Sequence, residues 1–248
     1  MADGRIKAVQ AALSGNHLLS VFLREHAGLS SALQLVTHSA GQIIHRQDRP
    51  MSHAYFPITG SLAVTIGTQD GAVCEAEAIG NEGLLGLPIY FGLSTSPNTV
   101  MQQIEGRSYR LAAPAFLDCI RKAPALQQLM HRYAAYTIRC TQQTVVCNAL
   151  HTLRQRACRW LLTVHDRAGG SRFELPQSVL AEMLGVRRQS VSEVAAELRR
   201  AGLIEYRRGF MTIANRRKLQ DAACCECYEV MHVTYRRLME PLACDPLS

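Results

Sequence analysis

The segment 175–204 constrains the fold more than any other part of this chain. It reads LPQSVLAEMLGVRRQSVSEVAAELRRAGLI, with Ala181, Gly185, Val191 and Val194 at the spacing of two helices that cross at a tight turn. A larger side chain at Ala181 would push the helices apart, and a Cβ at Gly185 would strain a turn that needs positive φ. The spacing therefore predicts a helix-turn-helix over Gln177 to Ala196, a motif typical of DNA binding.

Positive charge is concentrated on the same part of the chain. Residues 151–220 contain 14 Arg and Lys against 6 Asp and Glu, a net charge of +8, while the whole chain carries +7. Such a concentration favours binding to a polyanion. A solvated basic face is the alternative. A module that binds a ligand and dimerises without touching DNA would leave this charge unexplained.

Length and composition favour two domains with a sizeable core, since the chain has 248 residues of which 48% are hydrophobic. No run of eighteen apolar residues occurs, and the N-terminal stretch, interrupted by His17, lacks the pattern of a signal peptide. We therefore expect a cytoplasmic protein. The nine cysteines are an odd number and scattered, so reduced thiols are the default expectation.

The N-terminal half predicts a helical start up to about His26 and then an antiparallel roll or barrel of short strands between residues 42 and 111. Apolar Leu62, Val64 and Ile66 alternate with smaller residues, which predicts a half-buried strand. Asp70-Gly71 predicts a hairpin turn. Further strands are expected at 53–56, 73–78, 100–104 and 108–111.

A long helix with a heptad seam is expected after the roll. Apolar and small residues recur at alternating steps of four and three, namely Leu126, Met130, Tyr133, Thr137, Cys140, Thr144 and Cys147. We interpret this seam as the contact between two parallel helices of a dimer, which would hold the two DNA-binding domains one turn of the duplex apart. Packing of the same face against the roll is the alternative.

A second helix, with Leu153, Ala157, Trp160, Leu161 and Val164 on one face, is expected to end near Gly169-Gly170. Pro176 suits the first turn of the following helix. The segment 204–213 predicts a β-hairpin wing with the doubly basic tip Arg207-Arg208-Gly209.

With these parts in this order, the chain resembles the Crp/Fnr family of bacterial transcription regulators over about residues 20–215. The segments AYFPITGSLAV at 54–64 and GNEGLLG at 80–86 support the resemblance, and the predicted helix-turn-helix, or reading motif, is its most specific part. It implies an α+β fold with an N-terminal antiparallel β-roll like that of cyclic-nucleotide-binding domains, a long dimerisation helix and a C-terminal winged helix-turn-helix. The expected boundaries are 1–125 for the roll with its N-terminal helix, 126–150 for the dimerisation helix, 151–214 for the DNA-binding domain and 215–248 for a helical extension.

The resemblance also implies a function, which is sequence-specific binding to promoter DNA as a homodimer, with RNA polymerase as a further partner. The family's base-reading positions fall on Arg188, Gln189, Ser192 and Glu193, whose side chains suit guanine, adenine and cytosine edges. Arg187 replaces a Ser or Thr cap of many relatives and is expected to contact a phosphate, or else to be solvated. Backbone contacts are expected from Arg199, Arg200, Arg207 and Arg208.

The expected effector pocket comprises Gly83, Leu84, Leu85, Gly86 and Thr99. Members that bind cyclic nucleotides follow a glycine with Glu and place an Arg further along, whereas Leu84 follows Gly83 here and no Arg or Lys occurs from 87 to 106. A buried phosphate would lack a cationic partner. We therefore expect a degenerate effector domain that does not bind cyclic AMP in the usual mode, and the cofactor stays open.

Cysteine chemistry gives an alternative function, a thiol- or metal-dependent redox sensor. The oxygen-sensing relatives hold an iron–sulfur cluster through cysteines near the N-terminus, but the first cysteine here is Cys74. The extension contains Cys224, Cys225, Cys227 and, later, Cys244, which could bind metal or oxidise. On a helix these thiols would point in different directions and we expect no Cys-x-x-Cys pair, so small packing residues are the favoured interpretation.

A metal-dependent barrel enzyme is a further alternative, with His38, His45, His53, Glu75 and Glu77 as ligands. The sequence argues against it, because no His-x-His pair occurs among these residues. A phosphate-binding glycine loop and a Gly-x-Ser-x-Gly motif are also missing. We therefore expect no enzymatic activity.

Overall fold

The computed structural model describes residues 15–239, without the side chains of Cys225 and Met239. The predicted roll is confirmed as two antiparallel sheets with strand orders β1-β7-β3 and β2-β6-β4-β5. Its strands are β1 Gln34–His38, β2 Ile43–His45, β3 His53–Pro57, β4 Ser61–Gly67, β5 Val73–Ile79, β6 Thr99–Ile104 and β7 Gly106–Ala112. The roll thus begins one strand earlier than the expected start at residue 42.

The turn between β4 and β5 lies at the predicted Asp70-Gly71 position, where Gly71 has φ +85°. The expectation of a half-buried β4 is wrong, since Ser61 to Thr65 are buried on both faces and Ile66 is exposed. Ala63 on the second face joins the apolar cluster of the C-terminal domain, together with Trp160. A neighbouring domain therefore covers the face that alternation alone assigns to solvent.

Helices cover the other side of the roll. These are α1 His17–Glu25, a 3-10 turn at Ala27–Ala32, α2 Leu87–Tyr90 and α3 Ala113–Lys122. Asn16 caps α1 by accepting from Leu19 N at 2.8 Å. Phe22, Phe56 and Phe116 pack ring against ring in the core beneath them.

The long helix α4, Pro124–Leu150, follows, but the predicted seam does not face outward. Leu126, Met130, Tyr133, Cys140 and Cys147 are all buried within the chain itself. Tyr133 accepts from Leu84 N at 3.0 Å and donates to Leu84 O at 3.1 Å, which fixes the helix on the roll. The interpretation of this face as a dimer seam is therefore wrong, and packing against the roll and the extension takes its place.

The reading domain comprises α5 Leu153–Arg167, β8 Arg172–Glu174, α6 Gln177–Leu184, α7 Arg188–Arg200, β9 Ile204–Arg207 and β10 Phe210–Ile213. Thr152 and Gln155 form a capping box that starts α5 directly after α4. Gly169, with φ +72°, follows the end of α5 as expected. The strands form a sheet in the order β8-β10-β9, and β9 with β10 is the predicted wing.

The extension folds back over the molecule as α8 Arg216–Ala222 and α9 Cys225–Met239. Tyr235 of α9 packs edge-on against Tyr136 of α4, and its hydroxyl lies 2.7 Å from His17 Nδ1. Asp166 pairs with Arg216 at 2.7 Å and accepts from Tyr228 OH at 2.5 Å. The expected residue Cys244 lies outside the described residues. Among those described, no helix is long and apolar enough to cross a membrane.

Candidate functional site

The turn between α6 and α7 has the geometry that the sequence predicts. Gly185 ends α6 with φ +63° and donates its N–H to Glu182 O at 3.1 Å. Val186 N bonds Ala181 O at 3.0 Å, which closes the turn. Val191 lies on the buried face of α7, and Val194 is half-buried and packs against the same apolar core of the C-terminal domain. The apolar face of α7 is thus anchored, and its opposite face points outward.

That outward face carries the predicted base-reading residues. Arg188, Gln189 and Glu193 are exposed, and Gln189 Nε2 lies 3.3 Å from Glu193 Oε1. Ser192 is half-buried and donates to Gln177 Oε1 at 2.7 Å, so part of its hydrogen-bonding capacity is already used. The side chains available to a base edge are therefore mainly those of Arg188, Gln189 and Glu193.

The N-terminus of α7 has no side-chain cap, because Arg187 occupies the cap position with an exposed side chain. Uncapped N–H groups and the positive end of the helix dipole attract anions. The other predicted backbone contacts, Arg199, Arg200, Arg207 and Arg208, are exposed as well. Arg208 and Gly209 both have positive φ, so the wing turn projects its basic tip outward.

The roll contains a cavity of about 270 Å³ that includes part of the predicted effector pocket. Leu84, Leu85 and Gly86 line it, but Gly83 and Thr99 do not. Gly83 lies under α4, where a Cβ would come within 2.4 Å of the Tyr133 hydroxyl, and Thr99 Oγ1 accepts from Gln47 N at 3.3 Å. None of the described lining residues is Arg or Lys, and Glu77 adds an acidic group.

A polar network between the roll and the reading domain was not predicted from the sequence. Arg167 at the end of α5 forms a buried ion pair with Glu82 of the roll. Glu75 of β5 accepts from Trp160 Nε1 at 3.2 Å. Because these partners lie some 85 residues apart in sequence, no local pattern could reveal them.

The three histidines of the barrel-enzyme alternative surround one tyrosine. The ring centroids of His38, His45 and His53 lie 5.8, 5.6 and 6.3 Å from that of Tyr55. Burial lowers the pKa of His45, whose ring nitrogens have no hydrogen-bond partner among the described residues. Within the described part of the chain, these side chains do not form a group with metal-ligand spacing.

A group with that spacing lies elsewhere, at the C-terminal end of α4. Cys147, His151, Cys224 and Cys227 each offer a ligand atom, and these atoms all lie within 4.8 Å of one another. The expectation that the extension lacks a Cys-x-x-Cys pair and that its thiols diverge is wrong. Helix α9 begins only after Cys224, and the Sγ atoms of Cys224 and Cys227 both approach Cys147 and His151. The side chain of Cys225, the third predicted candidate, is outside the described set.

Comparison with known proteins bears on the class of the molecule. Residues 155–222 match the family model of the Crp-like helix-turn-helix domain. FixK2 from Bradyrhizobium japonicum is similar in structure, with 15% identity, a TM-score of 0.65, and coverage of 77% of this chain and 98% of that one. A CRP-family transcriptional regulator from Thermus thermophilus has 19% identity, a TM-score of 0.63, and coverage of 76% and 96%. A sequence search of curated proteins gave no match.

The molecule is thus a β-roll protein whose long helix leads into a winged helix-turn-helix. It carries a Crp-like helix-turn-helix domain on the fold of the Crp/Fnr transcription regulators, as the resemblance of the sequence predicts.

Proposed function

We propose that this chain binds promoter DNA as a homodimer and regulates transcription. The observation that carries the proposal is the exposed, uncapped N-terminal half of α7, where Arg187, Arg188 and Gln189 face outward from an anchored helix. A recognition helix enters the major groove with its N-terminal residues against base edges. The net charge of +8 on residues 151–220 supports the same assignment.

The dimer in this proposal uses a second face of α4. His131, Ala135, Ile138, Gln142, Val145 and Ala149 follow one another at steps of four and three, and all six are exposed. The large apolar side chains of Ile138 and Val145 are 58% and 63% exposed. A second copy of the chain is the occupant that this heptad spacing fits, since each α4 would supply the same stripe.

The roll acts in this proposal as a degenerate effector domain. Its cavity is mainly apolar, and none of its described lining residues is Arg or Lys, so a bound phosphate would lack a compensating charge. Calorimetric titration with millimolar cyclic AMP is expected to show no binding. Saturable binding of cyclic AMP to the folded protein would contradict this assignment. We further propose RNA polymerase as a partner and the cytoplasm as the place of action.

The proposal is tested by selecting bound sequences from a random duplex pool with the full-length chain, followed by footprinting. The expected result is a two-fold symmetric site with half-sites about one helical turn apart. Protection without sequence preference, or a selected site without two-fold symmetry, would contradict the proposal. Sedimentation velocity of the protein without DNA measures whether it forms a dimer by itself.

A further inference from the structure

The cysteine cluster brings together two segments that are far apart in sequence, one at residues 147–151 and one at residues 224–227. Cys147 lies in the last turn of α4, and His151 is the residue that ends this helix. Cys224 and Cys227 come from the start of the extension. Because Thr152 already caps α5, the cluster sits directly at the junction between the long helix and the reading domain.

The four donor atoms are close enough together to reach one tetrahedral metal ion, since all of them lie within 4.8 Å of one another. Cys147 Sγ and Cys224 Sγ are 3.2 Å apart, and Cys227 Sγ is 3.6 Å from His151 Nδ1. Around tetrahedral zinc, with Zn–S bonds of about 2.3 Å and Zn–N bonds of about 2.0 Å, donor atoms are about 3.5–3.8 Å apart. The thiolates of an iron–sulfur cluster need wider spacing because several iron atoms separate them.

Burial and local charge also suit a bound cation with thiolate ligands. Cys147, Cys224 and Cys227 are all buried, in an apolar cluster of their own. Gln143, itself buried, donates from Nε2 to Cys227 Sγ at 3.0 Å, as an outer residue does to a metal-bound thiolate.

The buried side chain of Arg159 also bears on the charge of this cluster. Its side chain belongs to a residue only 9% exposed, its Nε has no hydrogen-bond partner, and no described carboxylate forms an ion pair with it. A buried guanidinium needs a compensating negative charge. Zn²⁺ with three thiolates and one neutral imidazole has a net charge of −1, which beside Cys147 would add to the charge of Glu75, whose carboxyl also interacts with Arg159.

We propose that Cys147, His151, Cys224 and Cys227 bind one Zn²⁺ ion in a closed tetrahedral site that ties the start of α9 to the α4–α5 junction. Four protein ligands leave no open position for a substrate or water, so the site is structural rather than catalytic. Binding releases the thiol protons, and its free energy stabilises the packing of the extension. The site does not depend on the function proposed above.

The test starts with the full-length chain, expressed with added zinc and passed through metal-free buffer. Elemental analysis is expected to give about one zinc per chain. Cys227→Ser and Cys147→Ser are expected to weaken zinc binding at least about tenfold in a competition titration with a chromophoric chelator. Cys74→Ser and Cys119→Ser are matched controls, because both cysteines lie in the roll part of the chain, and they are expected to keep the metal.

Cobalt substitution gives a readout of the ligands themselves. Wild-type protein loaded with Co²⁺ is expected to show the visible bands of a tetrahedral site and thiolate-to-cobalt charge transfer. His151→Cys is expected to retain the metal with shifted bands, because it replaces nitrogen by a fourth sulfur. This variant keeps the proposal testable even if the serine variants do not fold.

Three results would overturn the proposal. The first is natively folded, fully reduced wild-type protein that takes up no zinc. The second is equal loss of zinc in Cys74→Ser and Cys227→Ser. The third is a Cys147–Cys224 disulfide, or iron with acid-labile sulfide, in freshly purified protein.

Discussion

The fold holds the carboxyl group of Glu77 in surroundings that disfavour its ionised form. It is half-buried on β5, beside the roll cavity and α4. Burial raises its pKa from the ordinary value of 4.5 to about 7, with Glu82 and Glu75 acting in the same direction. Between pH 4.5 and about 7, the Glu77 carboxyl is ionised in the unfolded chain but still protonated in the folded one. The free energy of unfolding is therefore expected to fall as the pH rises toward 7.

Glu77→Gln should remove this part of the pH dependence. We expect the variant to be more stable than the wild type at pH 8 by no more than about 2 kcal/mol, given the partial exposure of the group, and to differ little from it at pH 4. Urea unfolding of both proteins at the two pH values measures the difference. Glu205→Gln, at an exposed carboxylate of the wing, serves as control. An equal difference at both pH values would contradict the assignment.

Replacing Arg188 or Arg207 by alanine is expected to change DNA binding in different ways. Arg188 projects from the recognition helix, so its loss should relax base preference at one position per half-site at a cost of roughly 1–3 kcal/mol. Arg207 lies in the wing, so its loss should weaken all sequences alike and reduce the salt slope by about one. Titration of a set of single-base variants of the selected site separates the two outcomes. A uniform loss for Arg188→Ala would make that residue a backbone contact.

At the scale of single elements, α4 contains two interleaved heptad stripes. The stripe through Met130 and Cys140 is buried in the same chain, while the stripe through Ile138 and Val145 is exposed. Periodicity predicts that a helix has an apolar face, but it does not say whether the partner is the same chain or another. The helix was therefore predictable from sequence, whereas the partner that covers each of its faces depends on how the roll and the extension fold.

Val145→Glu tests the exposed stripe. A carboxylate placed between two helices must lose its hydrating water without gaining a partner, so the dissociation constant of the dimer is expected to rise at least about tenfold. Sedimentation velocity over a concentration series measures this change. Val233→Glu, at a 37% exposed valine of α9, is the matched control and should leave the dimer intact. An unchanged dimer in Val145→Glu would place the interface elsewhere.

The reading motif was predictable because its determinants are local. Gly185 supplies the positive φ of the turn, and Val191 of α7 follows Leu184, the last residue of α6, by only seven residues. The wing follows from Arg208-Gly209 in the same way. By contrast, the buried second face of β4 depends on Ala63 meeting the domain that contains Trp160, almost a hundred residues later.

At the scale of the whole molecule, the cysteine cluster shows what long-range packing adds. Cys224 and Cys227 have Cys-x-x-Cys spacing, which the expectation of diverging thiols on a helix discounted, and their partners Cys147 and His151 are about 76 residues away. They meet because α9 folds back along α4, with Tyr235 against Tyr136 near the opposite end of the contact. No local pattern identifies such partners, since cysteine and histidine on a helix surface are ordinary residues by themselves.

The two proposals together predict that zinc affects DNA affinity. The long helix would hold the dimer, the reading domain would hold the DNA, and His151 lies between them. Without the metal, the start of α9 is no longer tied to this junction, so the two reading domains should sample more orientations. DNA binding must then order them, which is expected to weaken affinity several-fold.

Fluorescence anisotropy with the selected duplex measures this effect in zinc-loaded protein, in chelator-treated protein and after zinc is restored. Restoration should recover the affinity in wild type and in Cys74→Ser, whereas Cys227→Ser should remain at the metal-free level. Equal affinity with and without a demonstrated zinc ion would mean that the site only stabilises the extension and does not control the reading domains. Because metal content is measured on the same samples, failure of the zinc site and failure of its coupling to DNA give different results.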